Sequence, residues 1–106
     1  MVAMERRRVD LEIAELRIDS RKEEYPGQLG KQVSFDDILE VLGNEPRCYV
    51  LSAGGRIRYN ILGPNNAGRY LLTAIGHVEA TVWRVITAHW MEERRARRDY
   101  DGGETT

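Results

Sequence analysis

Two histidines, His77 and His89, together with Lys31, Tyr100 and a set of arginines, are the side chains of this sequence suited to moving a proton and holding negative charge. An imidazole acts as base or acid near neutral pH, a phenol or ammonium donates to an oxyanion, and a guanidinium holds a phosphate with a planar fork of N–H groups. Sulfur and metal chemistry have no such support. Cys48 is alone, so no internal disulfide forms, and a small apolar residue in a strand is its simplest role. No Cys and His cluster has metal-ligand spacing, and neither a glycine-rich phosphate loop nor a nucleophile elbow occurs, so no metal and no cofactor are indicated.

The elements that must position these groups follow from periodicity and punctuation. Val9 to Ile18 is apolar at 9, 11, 13, 16 and 18, which reads as a short helix followed by an extended Leu16-Arg17-Ile18. Asp19 and Ser20 could cap a helix over 21–30, interrupted by Pro26-Gly27. SFDDILEVLG is the clearest helix: Ser34 sits three before Asp37 as in a capping box, positions 35, 38, 39, 41 and 42 share a face, and Gly43 ends it. After Pro46 the rhythm changes to strands. Residues 47–53 are β-rich, Gly54-Gly55 marks a hairpin, and Ile57, Tyr59 and Ile61 alternate with Arg56, Arg58 and Asn60, giving that strand one polar, basic face. Residues 69–77 and 82–89 supply two further strands, and Trp90 to Tyr100 a helix with a weak apolar stripe at Trp90, Met91, Ala96 and Tyr100. The fold class expected is α+β: two N-terminal helices, a four-stranded antiparallel meander and a C-terminal helix, in one domain over 1–106 with partly flexible ends at 1–20 and 101–106.

This arrangement separates the histidines. With a turn at 78–81, His77 pairs near Val82 while Arg69 lies opposite 89–91, so His77 stands about 26 Å along the strand from Arg69 and cannot partner His89. Arg69 and His89 meet at one sheet end beside the arginine-rich helix, where they could hold a phosphate within reach of Tyr100 or Lys31. Equally, Arg69 could pair with a nearby carboxylate and His89 could be a solvated edge residue. Tyr100 also reads as packing the helix onto the sheet, and Arg84 as either a phosphate contact or a structural cation. Trp83 and Trp90 read as core or interface residues.

The net charge of −1 hides a division along the chain. Residues 1–45 carry seven Lys/Arg against eleven Asp/Glu, whereas residues 46–98 carry nine Arg against three Glu. A basic half of this kind favours an anionic partner, with a solvated arginine surface as the plain alternative. Arg56, Arg58, Arg84, Arg94, Arg95 and Arg98, with Trp90, are the residues placed to contact RNA or a protein partner. No apolar run is long enough to cross a bilayer, and the lone cysteine fits a reducing, cytoplasmic setting.

The succession KQVSFDDILEVL, AGRYLLTAIG and WRVITAHWMEERRARRDY resembles the BrnT-like toxins of bacterial type II toxin-antitoxin modules, relatives of the RelE ribonuclease fold, from about Lys31 to Tyr100. The resemblance implies a small domain that cleaves RNA without a metal and is neutralised by a cognate DNA-binding antitoxin, of the ribbon-helix-helix kind. Taken with the placement above, Lys31, Arg69, His89 and Tyr100 form the expected catalytic set, Lys31 on the family position alone. Gly30 and Lys31 stand where that family usually has Lys and His, and His89 where it has Arg, which supports the alternative of a non-catalytic nucleic-acid or protein-binding module. Whether the chain forms a homo-oligomer is open.

Overall fold

Ser34 opens helix α1 (Phe35–Gly43) by capping it. Its hydroxyl accepts from the Asp37 N–H at 3.2 Å while the Asp37 carboxylate accepts from the Ser34 N–H at 3.1 Å, so two amides that a helix start leaves orphaned are satisfied. Asp36 and Asp37 complement the positive end of the helix dipole, and Ile38 and Val41 are the residues the helix buries. A computed structural model describes residues 5–18 and 33–102.

Six strands form one sheet: β1 (Glu5–Val9), β2 (Glu15–Arg17), β3 (Arg47–Ala53), β4 (Arg56–Pro64), β5 (Tyr70–Glu79) and β6 (Val82–Trp90), with helix α2 (Glu93–Gly102) after the last. Their spatial order is β1-β3-β4-β5-β6-β2. Every neighbouring pair is antiparallel except β2 with β6, which is parallel. Gly54 and Gly55, at φ 57° and 79°, make the β3–β4 turn with backbone that other residues adopt at a cost.

The two N-terminal strands lie at opposite ends of that order, yet only 10–14 separate them. Six residue steps reach at most about 21 Å, whereas five inter-strand spacings in a flat sheet come to about 24 Å, so the sheet must roll until its edges approach. Four antiparallel strands intervene between β1 and β2, which are successive halves of one stretch running one way. One seam is therefore antiparallel and the other parallel. Hydrogen bonds along the link fix the closure: the Ala14 N–H donates to the Thr81 carbonyl at 2.9 Å and the Trp83 indole N–H to the Glu12 carbonyl at 3.1 Å.

This architecture is α+β but overturns the expected arrangement within that class. Instead of two N-terminal helices before a four-stranded antiparallel sheet, the described residues hold a six-stranded mixed sheet with one helix ahead of β3 and one at the C-terminus, and the RelE-like arrangement falls with it. The short helix expected after Val9 is instead the end of β1, an irregular link and β2. The apolar positions 9, 11, 13, 16 and 18 fit no single period because three kinds of backbone carry them, yet all five pack against one core. The helix expected over 21–30 lies outside the described residues.

Inside the roll sits the main core, built by the alternate positions Cys48, Ile61, Leu71, Ile75, Trp83, Val85 and Ala88 and closed at one end by α1 through Ile38 and Val41. Gly63 permits that closure: a Cβ there would stand 3.1 Å from Val41 Cγ1 and 3.4 Å from Pro46 Cα. Thr73 is fully buried between Ile61 and Ala88, and its hydroxyl has no hydrogen-bond partner among the described residues. A buried hydroxyl without a partner costs on the order of 1 kcal/mol or more. Thr73→Val is therefore expected to stabilise the protein by about 1 kcal/mol, read as a higher urea midpoint at unchanged slope.

Candidate functional site

Alternation that fills the interior sends the intervening residues to the convex outer face. On β1 and β3 the opposed pairs Arg6 with Leu51 and Arg8 with Tyr49 face outward, because Val9 with Cys48 faces the core. On β4 the outward set is Arg56, Arg58 and Asn60. A bulge on β6 between the Thr87 and Val85 pairings puts Ile86 and Thr87 both outside, after which Arg84 is outward again opposite Gly76. A Cβ on Gly76 would meet Arg84 Nε at 3.3 Å and Ile86 Cδ1 at 3.4 Å, so the missing side chain lets the Arg84 stem lie across the sheet. Arg84 also stands beside Arg17 of β2, which pairs with Glu15.

Helix α2 covers only one part of this face. Ala96 is fully buried against Tyr49 and Leu62, with Tyr70, Leu72, Met91 and Tyr100 around them. The Tyr49 hydroxyl donates to the Asp99 carbonyl at 2.7 Å, the Arg6 guanidinium lies 4.7 Å over the Tyr49 ring, and Arg6 Nη1 is 3.6 Å from the Asp99 carboxylate. Between the helix and the uncovered strands lies a cleft of about 280 Å³. Leu51, Leu72 and Met91 supply its apolar surface over the buried Leu62, and Arg6, Asn60, His89, Arg95 and Asp99 its polar groups.

The residues singled out by the sequence are thus distributed differently from the expected anion site. Arg69 lies 4.2 Å over the Trp90 ring, and Trp90 packs against the interior core opposite Leu71. His89 precedes Trp90 in the same strand, so it points to the other face, opposite Leu72 and into the cleft. Arg69 and His89 share a sheet end but not a surface. Tyr100 packs edge-on to Tyr70 at 5.6 Å, lies under the Arg47 guanidinium at 4.5 Å and donates to the Glu45 carbonyl at 2.7 Å, which makes it an anchor of α2. Lys31 lies outside the described residues. His77 is held by the turn that follows it, with Nε2 2.9 Å from the Ala80 carbonyl and its ring 4.8 Å from that of Trp83.

Arg6, Arg8 and Asn60 were absent from the sequence-derived set. Asn60 had a signal in its alternation with Arg56 and Arg58, whereas RRRV carries no strand pattern and gave none. Among the described residues no group of three His, Cys, Asp or Glu could hold a metal ion, and no helix is long and apolar enough to cross a membrane. No protein-family model matches the chain, and neither a curated protein nor a solved structure does.

Burial pushes the Cys48 thiol up from its ordinary value, with Asp10 adding to the rise and a Leu11 backbone hydrogen bond and Arg8 opposing it. Tyr49 is raised likewise, chiefly by burial against the downward pull of Arg6 and Arg8. A phenol raised when folded contributes stability that is complete below its ordinary value of 10.0 and is lost as pH climbs from there toward the folded value. Tyr49→Phe, which also removes the bond to Asp99, should lower stability at pH 7 by about 1 kcal/mol and flatten its decline above about pH 10 in urea titrations at stepped pH.

Proposed function

We propose that this protein binds nucleic acid, RNA in the first instance, along the uncovered outer face of its sheet. The observation that carries this reading is the alignment of Arg8, Arg58 and Arg84 on one surface, with Arg6 at the margin of α2, Arg56 near the β3–β4 turn and Arg95 beside the cleft, in a chain whose net charge is −1. Guanidinium forks suit phosphate oxygens, and a polyanionic strand gains affinity by releasing its counterions to each. Arg6 and Arg17 are already paired with Asp99 and Glu15, so Arg8, Arg58 and Arg84 carry the interaction. The double variant Arg58→Glu/Arg84→Glu is expected to weaken binding of a short single-stranded RNA at least tenfold. It should also flatten the dependence of log affinity on log salt by about 0.7 for each phosphate no longer neutralised. Arg97→Ala, whose guanidinium pairs with Glu93 at 3.3 Å on exposed helix surface, should leave affinity unchanged. Fluorescence anisotropy across a salt series reads both, and equal affinity in the charge-reversed variant would sink the reading.

A second reading, a toxin-like endoribonuclease, is favoured by one observation: His89 presents an imidazole in the cleft that Arg6 and Arg95 also line. In that role His89 takes the proton of a ribose 2′-hydroxyl, the 2′-oxygen bonds to phosphorus, the bond to the 5′-oxygen breaks, and solvent protonates the leaving oxygen. The two guanidinium groups balance the charge of the phosphorane. A cognate antitoxin would be the partner, docking on Arg94 and Arg98 of α2. If the purified protein cleaves RNA to a 2′,3′-cyclic phosphate, His89→Ala abolishes the product while Arg69→Ala, on the opposite face, retains it; an uncut RNA with wild-type protein removes this second reading and leaves the first.

A further inference from the structure

The cleft beside α2 has a composition that phosphate binding does not explain. A site for phosphate alone needs cations and donors, whereas this one sets the Asp99 carboxylate, paired with Arg6, and the apolar surface of Leu51, Leu72 and Met91 beside its cations. Asp99 is 3.6 Å from Arg6 Nη1 through Oδ2, and its other oxygen can accept from an amino group. Asn60 offers a donor and an acceptor side by side, and the imidazole of His89 is a flat ring with one of each when neutral. Apolar surface bordered by mixed donors and acceptors matches a nucleobase, which has apolar faces and a polar edge, and about 280 Å³ is room for one base.

We infer that this cleft takes one unstacked nucleobase of the bound strand, with Asn60 and Asp99 reading an edge that carries an amino group. This rests on the nucleic-acid reading above and adds to it a selectivity the outer arginines cannot supply. In a duplex the edges of the bases are paired and their faces stacked, so the cleft can be filled only by a single strand. Cytosine and uracil differ at the 4-position by an amino group against a carbonyl oxygen. The Asp99 carboxylate accepts from the first and is left facing an acceptor by the second.

Four probes test this with the intact protein: ten-residue oligocytidylate, ten-residue oligouridylate, a ten-base-pair RNA duplex and inorganic polyphosphate. The expected result is single strand over duplex by about tenfold, from the one base housed. Oligocytidylate should exceed oligouridylate by about fivefold, the worth of one hydrogen bond. Asn60→Ala, checked for an unchanged thermal midpoint, should erase most of both preferences while leaving polyphosphate affinity intact. His89→Ala, two strands away on the same sheet face, should do the same to the single-strand preference, so the test does not hang on one variant. Equal binding of all four probes with a common salt dependence would overturn the base-binding cleft and leave the outer arginine face standing. Failure of every probe to bind would overturn both.

Discussion

A single short stretch of chain pairs with both edges of the sheet, and the rest of the molecule depends on that constraint. Residues 5–17 run one way and meet β3 on one side and β6 on the other, and the link 10–14 between the two strands is too short to bridge a flat six-stranded sheet. The resulting curvature converts a half-buried sheet into one with an apolar interior and a convex exterior. Trp83 shows the coupling at a single residue: its ring fills the core, lies 5.1 Å edge-on from Tyr59 and donates to the link at Glu12.

Once inside and outside are separated, strand alternation sorts the charges without further instruction. Aliphatic residues at alternate positions turn inward, so the arginines between them turn out, and arginines from strands far apart in sequence become neighbours on one surface. Asp37 and Glu40 of α1 are drawn into other work. Asp37 caps the helix and accepts from the Asn65 side chain at 3.3 Å, and Glu40 accepts from the Asn66 N–H at 2.8 Å, so they brace the β4–β5 turn away from the arginine face. A net charge near zero therefore coexists with a strongly polarised surface. Helix α2 is fastened to that surface by a few specific contacts, Ala96 against Tyr49 and the hydroxyls of Tyr49 and Tyr100 on backbone carbonyls, and the cleft is the margin its narrow apolar stripe leaves.

Much of this was legible locally. The capping box at Ser34, the paired glycines at 54 and 55 and the alternation through Ile57 to Ile61 are short-range signals, and each acts within its own few residues. The failures came where a residue's state is set by a partner distant in sequence. Nothing in ERRRV marks a strand; it is one because β3, some forty residues later, offers an edge. The misplaced pairing of Arg69 with His89 was of another kind, because alternation held the answer. Arg69 shares parity with Leu71, which faces Trp90, while His89 faces Leu72, and counting by two from each pair separates them.

The amino-acid sequence by itself determined where β3 to β6 run, how α1 starts, and that arginines dominate the chain from Arg47 onward, because periodicity, capping and composition are properties of neighbouring residues. Only the tertiary structure decided that the N-terminal arginines join the same surface and that Asn60 and Asp99 flank one cleft. Those outcomes depend on the closure of the sheet and on where α2 comes to rest. Both are long-range pairings whose register no local stretch encodes.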